Sequence, residues 1–177
     1  SPCADGTVAT KAGTPTCEPC WLGSRANTAR DACVECAVGH AFNSSSGAIC
    51  SPCPAGSATA FNSELGHPVC ILCLSGTFQP DAGKDACLSC EGGRYSSEDG
   101  ATGCELCPAG WRSSALTGSA RCVECLAGTR QPANGSTICI DCAVGRFSID
   151  GSAQCDLCPP GTIAPTAGSA FCFGCEA

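Results

Sequence analysis

Cysteine is the residue whose type and spacing could do chemistry in this sequence: there are 21 of them in 177 residues. Twenty stand in Cys-x-x-Cys pairs, at Cys17/Cys20, Cys33/Cys36, Cys50/Cys53, Cys70/Cys73, Cys87/Cys90, Cys104/Cys107, Cys122/Cys125, Cys139/Cys142, Cys155/Cys158 and Cys172/Cys175, and Cys3 stands alone. After nine of the pairs comes a glycine at a fixed offset, as in Cys104-Glu-Leu-Cys-Pro-Ala-Gly110, and Gly6 keeps the same offset from Cys3. Three chemistries use such pairs. Structural zinc takes two Cys-x-x-Cys pairs per ion and should alternate long and short spacers. The spacers here are nearly uniform, at 12 to 14 residues apart from the longer one over 54–69. Carboxylates at Glu18, Glu35, Glu105, Glu124 and Asp141 also sit within the pairs, where clustered thiolates would want positive neighbours. Thiol redox catalysis needs one activated dithiol in a βαβ context, not ten equivalent copies.

A disulfide ladder fits best. Its simplest form joins the second cysteine of one pair to the first of the next and closes every spacer into a ring: Cys3–Cys17, Cys20–Cys33, Cys36–Cys50, Cys53–Cys70, Cys73–Cys87, Cys90–Cys104, Cys107–Cys122, Cys125–Cys139, Cys142–Cys155 and Cys158–Cys172, with Cys175 left over. A rival that crosses the bonds in blocks of two pairs leaves Cys3 over instead, and the spacing alone is compatible with either. In the chain-entropy account, closing a loop of about 15 residues stabilises by about 3 kcal/mol.

The elements that must hold these cysteines are short. A second glycine, at Gly13, Gly47, Gly66, Gly83, Gly100, Gly118, Gly135, Gly151 or Gly168, stands three or four residues before the next cysteine in most spacers. Two turn signals per spacer predict a hairpin-like loop, and glycine serves positive φ or a close backbone approach at its two ends. No spacer carries a helical apolar period, so almost no helix is expected. Residues 1–177 read as one tandem array of repeats of about 17 residues, whose units touch only their neighbours. Three spacer types rotate in order. Leu74-Ser-Gly-Thr-Phe-Gln-Pro matches Leu126-Ala-Gly-Thr-Arg-Gln-Pro, and Gly92-Gly-Arg-Tyr-Ser matches Val144-Gly-Arg-Phe-Ser, giving a super-period of three units. The array starts and stops inside repeats and so reads as an excerpt of a larger protein. The fold class expected is small and disulfide-rich, an extended solenoid-like rod of about ten short β-hairpin or loop units.

At Cys104-Glu-Leu-Cys-Pro-Ala-Gly110 and Cys50-Ser-Pro-Cys-Pro-Ala-Gly56 the chain resembles the ephrin-receptor-like cysteine-rich repeats, which are themselves similar to modules of the tumour necrosis factor receptor family. The resemblance runs the length of the chain at the level of the Cys-x-x-Cys-x-x-Gly phrase. Such repeats occur in extracellular receptors, adhesion proteins and mastigoneme-type surface filament proteins. The resemblance therefore implies an extracellular, disulfide-bonded rod and favours the ring-closing connectivity. The uniform spacing and Ala-rich loops depart from the receptor modules.

Composition narrows the function classes further. Aromatics are 5% and Met is absent, so a single large apolar core is not expected, and no apolar run reaches membrane-spanning length. Net charge is −7, with Lys and Arg scattered singly, which disfavours nucleic acid as a partner. No catalytic constellation, phosphate loop or calcium loop is present, so neither an enzyme nor a cofactor or metal site is expected. Asn43-Ser-Ser and Asn134-Gly-Ser are N-glycosylation sequons, and Thr14-Pro-Thr16 and Ala164-Pro-Thr166 could carry O-linked sugars. His40 and His67 are expected at surface loop positions, and Trp21 and Trp111 either against a neighbouring disulfide or as anchors for a partner. The leading function is a structural segment, a stalk or filament-forming component of a surface appendage or matrix, whose partners are copies of itself or other surface proteins, with glycans in addition. The alternative is a receptor-type ectodomain for a protein or glycan, with Trp111, Arg112, Arg94 and Tyr95 as the binding surface.

Overall fold

Each repeat begins with a reverse turn that its glycine dictates. The amide after the glycine donates to the carbonyl of the residue following the opening cysteine, as in Thr77 N to Leu74 O (2.9 Å) and Trp111 N to Pro108 O (3.1 Å). Gly76 and Gly110 hold the third place of these turns with φ of +86° and +84°. That is the type II arrangement, in which the third residue is almost always glycine because a Cβ would clash there. The computed structural model describes residues 3–9, 16–21, 23–43, 49–65 and 67–175; Gly13, Gly47, Gly66 and the Thr14-Pro15 dipeptide lie outside them.

After the turn the chain runs out along one short strand and returns along another made of the residues inside the next Cys-x-x-Cys pair. Thr77–Phe78 pairs antiparallel with Leu88–Ser89 in the register Phe78 to Leu88. Ten such two-stranded hairpins recur, from Thr7–Val8 with Glu18–Pro19 to Thr162–Ile163 with Phe173–Gly174. The longest, Ser57–Asn62 with His67–Leu72, belongs to the longest spacer. No helix occurs among the described residues. The protein is a small, disulfide-rich fold built of strands and turns.

A disulfide closes each hairpin at its base. The bonds are Cys3–Cys17, Cys20–Cys33, Cys36–Cys50, Cys53–Cys70, Cys73–Cys87, Cys90–Cys104, Cys107–Cys122, Cys125–Cys139, Cys142–Cys155 and Cys158–Cys172, called rings 1 to 10 below. Their Cα atoms stand 5.4 to 5.8 Å apart. Cys175 is unpaired and exposed.

A hairpin this small buries almost no hydrocarbon, so the interior is made of sulfur and small polar groups. Cys53, Cys90, Cys107, Cys125 and Cys142 are fully buried, with Ser24, Ser57, Ser113 and Ser148 beside them in the same class. Gln79 and Gln131 are buried too, and each staples its own loop. Gln131 Nε2 donates to Ile138 O (2.8 Å) and its Oε1 accepts from Ala133 N (3.0 Å); Gln79 does the same with Ala86 O and Asp81 N. Among the described residues no buried side-chain nitrogen or oxygen lacks a partner, as a polar interior requires.

The chain divides into two compact units. One comprises Ser1–Cys73, Gln79–Cys87 and Gly100–Thr102, the other Leu74–Phe78, Leu88–Asp99 and Gly103–Ala177. Within each unit, backbone bonds tie one ring to the next. In the second unit Gly110 N donates to Gln131 O (2.7 Å), Gln131 N to Ser152 O (3.1 Å) and Gly135 N back to Cys107 O (2.7 Å). In the first, Gly56 N to Gln79 O and Gly83 N to Cys53 O repeat the pattern, both at 2.7 Å. Rings also meet their next-but-one neighbours, which corrects the expectation of purely nearest-neighbour contact. The turn glycine of ring 3, Gly39, lies against the carbonyl of Gly83 in ring 5, and Gly76 against Gly118, Gly93 against Gly135, Gly110 against Gly151 and Gly128 against Gly168 follow suit. A Cβ on the turn glycine would stand 1.9 to 2.3 Å from its partner's carbonyl oxygen, so the turn side of the contact has no room for a side chain.

Ring 2 breaks this pattern. Its second glycine is missing, and Arg30 takes a positive φ of +58°, the one described non-glycine residue to do so. An ion pair from Arg30 to Asp5 (2.7 Å) and a hydrogen bond to the Cys3 carbonyl hold it there, offsetting the roughly 1–2 kcal/mol that a Cβ costs in this region.

Candidate binding surface

The four residues singled out for a binding surface fall on two neighbouring hairpins of the second unit. Arg94 and Tyr95 form the first strand of ring 6, opposite Leu106 and Glu105. Trp111 and Arg112 lie in Trp111–Ser113 of ring 7, opposite Glu124 and Val123. Successive residues of a strand face opposite ways, so neither pair presents both of its side chains on one face. Arg94 is exposed, but its guanidinium donates to the carbonyl of Cys104, the cysteine that closes its own ring (3.0 Å). Arg146 repeats this in ring 9 with Cys155 O (3.0 Å). The arginine that follows the turn glycine is therefore a brace of the hairpin, with the rest of its donors facing out.

Tyr95 donates its hydroxyl to Glu105 Oε2 (3.0 Å) across the same hairpin. That bond, followed by the negative charge of Glu105, raises the phenol above its ordinary pKa. Trp111 is half-buried on its strand, whereas Trp21 is 59% exposed. Trp21 edges a small cavity of about 140 Å³ with Phe61, Glu35 and His67.

Both histidines sit on strands and not on surface loops. His40 opens the strand His40–Asn43, half-exposed, with Nδ1 3.2 Å from Val38 O. His67 opens His67–Leu72 and is buried, because ring 4 packs it on Gly23 of ring 2 and tilts it against Phe42, ring centroids 5.8 Å apart. It occupies in the first unit the contact that a glycine carbonyl makes further along. Asn43 ends its strand, and the rest of its sequon lies outside the described residues. Asn134 is exposed, and its Oδ1 accepts from Ala109 N of the preceding ring (2.8 Å). Asp99 and Asp150, also directly before a second glycine, accept from Ser75 N (2.8 Å) and Ala127 N (2.6 Å) in the same way. This clasp between rings escaped the sequence reading, although Asp-Gly or Asn-Gly before the closing cysteine marks it.

With twenty cysteines cross-linked, no thiolate pairs remain to chelate an ion, and no cluster of metal-ligating side chains occurs among the described residues. No described helix is long and apolar enough to cross a membrane.

Residues 61–107, which contain the closing cysteine of ring 4, ring 5, ring 6 and the start of ring 7, match the family model described as tyrosine-protein kinase ephrin type A/B receptor-like. This segment is similar to the ephrin-receptor-like repeats. The rings on either side share its turn, hairpin and disulfide. A comparison with curated proteins found no match. Repeats of this type closed by disulfides suggest an extracellular module, since such bonds persist in oxidising compartments.

Proposed function

We propose that the chain is an extracellular structural repeat segment, a stalk or filament-forming component of a surface appendage or matrix, which works without catalysis. The observation that carries this reading is the repeated tie of a ring to the two that follow it, by backbone hydrogen bonds to the first and a glycine contact to the second. A strut that resists bending and proteolysis is what such ties, plus one covalent closure per ring, are suited to. The packing surface is apolar and periodic. Leu74 and Leu126, three rings apart at the same place in their turns, are 68% and 73% exposed, and apolar groups so placed serve association better than solubility.

Sedimentation velocity of the disulfide-intact chain over a wide concentration range tests the assembly. Association that weakens in the Leu74→Ser, Leu126→Ser double variant supports the reading; a monomer at every concentration removes the self-packing part of it.

A receptor-type ectodomain for a protein or glycan is the second reading, favoured by the exposed Trp21 beside its cavity. With two tryptophans in the chain, fluorescence of Trp111→Phe on ligand titration reports Trp21 alone. A response there supports this reading over the purely structural one.

A further inference from the structure

The second unit carries a groove that the structural reading leaves unused. It opens between rings 8 and 9, has a volume of about 450 Å³, and is lined by Arg130, Arg146, Gln154 and Asp141 among others. Arg130 lies on the first strand of ring 8 and Arg146 on that of ring 9. Neither guanidinium has a carboxylate partner among the described residues. The ion pairs among the described residues are Arg30–Asp5 and Lys84–Asp81. The one acidic group of the groove, Asp141, holds its carboxylate over Gly168, 3.7 Å from where a Cβ would stand.

Two uncompensated guanidiniums are notable in a chain of net charge −7. Residues 94–146 hold Arg94, Arg112, Arg121, Arg130 and Arg146 against Glu98, Asp99, Glu105, Glu124 and Asp141, so this stretch is neutral and the acidic excess lies elsewhere. Arg146 is fixed by its bond to Cys155 O (3.0 Å), and Arg130 spends no donor on any described residue. A guanidinium presents five donors in a planar fork matched to carboxylate and sulfate oxygens, and fixing it beforehand reduces the entropy lost on binding.

The same groove recurs three rings earlier. There Arg94 replaces Arg146, braced on Cys104 O (3.0 Å), and Phe78 replaces Arg130, with Leu88 and one carboxylate, Glu91, beside it. One groove thus offers two cations with one carboxylate, and the other a cation with one carboxylate beside an apolar face. A polymer that repeats, with anionic groups on rings that also have apolar faces, uses both; an acidic peptide has no need of the periodicity. We propose that the Arg130–Arg146 groove binds a sulfate- or carboxylate-bearing polysaccharide through its two guanidiniums and the Gln154 amide, with the Phe78–Arg94 groove as a second subsite of the same design.

The test is titration of the intact, oxidised chain with heparin (sulfated), polygalacturonate (carboxylate only), dextran (neutral) and poly-glutamate (acidic peptide), at low and physiological salt. Binding to one or both of the acidic polysaccharides, weakened by salt and absent with dextran, is expected; which of the two binds identifies the anionic group. Arg130→Gln should weaken it about ten- to hundred-fold, the worth of one charge-assisted hydrogen-bonded pair, with the melting curve unchanged because the Arg130 side chain makes no bond among the described residues. Arg146→Lys, which keeps the charge but loses the fork, should weaken it as well. Poly-glutamate binding as tight as that of the polysaccharides, or unaltered polysaccharide binding by Arg130→Gln, would overturn the proposal, as would no binding to either acidic polysaccharide at low salt.

Discussion

A Cβ built on Gly93 would stand 1.9 Å from the carbonyl oxygen of Gly135, two rings further along the chain. Gly135 has its own reason to be glycine, a φ of +75°, and the end of the Leu106 side chain, between them in sequence, covers it 2.6 Å from where a Cβ would stand. Turn, stacking contact and cover are thus three constraints met by one pair of residues.

Alanine at Gly93 therefore faces both a positive φ of +81° and a backbone oxygen that cannot move without displacing ring 8. Gly145 has the same φ, +80°, and open space around it. Gly145→Ala should cost about 1–2 kcal/mol, the conformational term alone, and Gly93→Ala clearly more. Denaturant unfolding of the oxidised variants checks this, and equal losses would contradict the stacking contact.

The paired turn glycines are legible in the sequence because they repeat in register, and the hairpins follow from them; the closing bonds are less so, since the spacing is compatible with two connectivities and the resemblance to a family favours one. The next-but-one contact is not, because Gly93 and its partner Gly135 are joined by no local pattern. The same distance hides the burial of His67, which only its place on Gly23 explains. The Asp99, Asn134 and Asp150 clasps are local enough to be readable, but an acidic or amide residue before glycine is also ordinary turn composition. The binding residues were the least legible. Arg94 and Tyr95 look free in sequence, yet each has a hydrogen-bond partner within its hairpin.

Gln131→Ala should cost about 1–3 kcal/mol, because it leaves the Ala133 amide and the Ile138 carbonyl of a part-buried loop without their partner. Thermal unfolding measures the loss, and faster exchange of the Ala133 amide should accompany it. An exposed glutamine would cost nothing measurable.

Asn134 uses only its Oδ1 in the clasp to Ala109 N, and its Nδ2 makes no bond among the described residues. A glycan on Nδ2 is compatible with that. Asn134→Asp should abolish modification at this sequon yet leave stability unchanged, because Asp99 and Asp150 make the same clasp as carboxylates. Glycopeptide mass and a melting curve on material from a secreting host decide both points; a destabilised variant would count against the clasp.

Tyr95 is the chain's one tyrosine, so its ionisation can be read directly by ultraviolet titration. Its neutral form donates to Glu105, which raises its pKa above the ordinary value of about 10. The stabilising bond is fully present below that ordinary value and is lost as pH climbs through the raised one. Glu105→Gln should bring the titration back down, chiefly by removing the charged acceptor. A midpoint identical in the two proteins would refute the contact.

The central claim is that each ring is closed by its own disulfide and that the closed rings are the fold. Intact mass after alkylation without reductant, followed by peptide mapping of the cross-links, tests it most directly. The account predicts ten bonds that join the two ends of each spacer, from Cys3–Cys17 to Cys158–Cys172, with alkylation at Cys175 alone. Bonds that cross from one ring to another, or free thiols within the pairs, would contradict it.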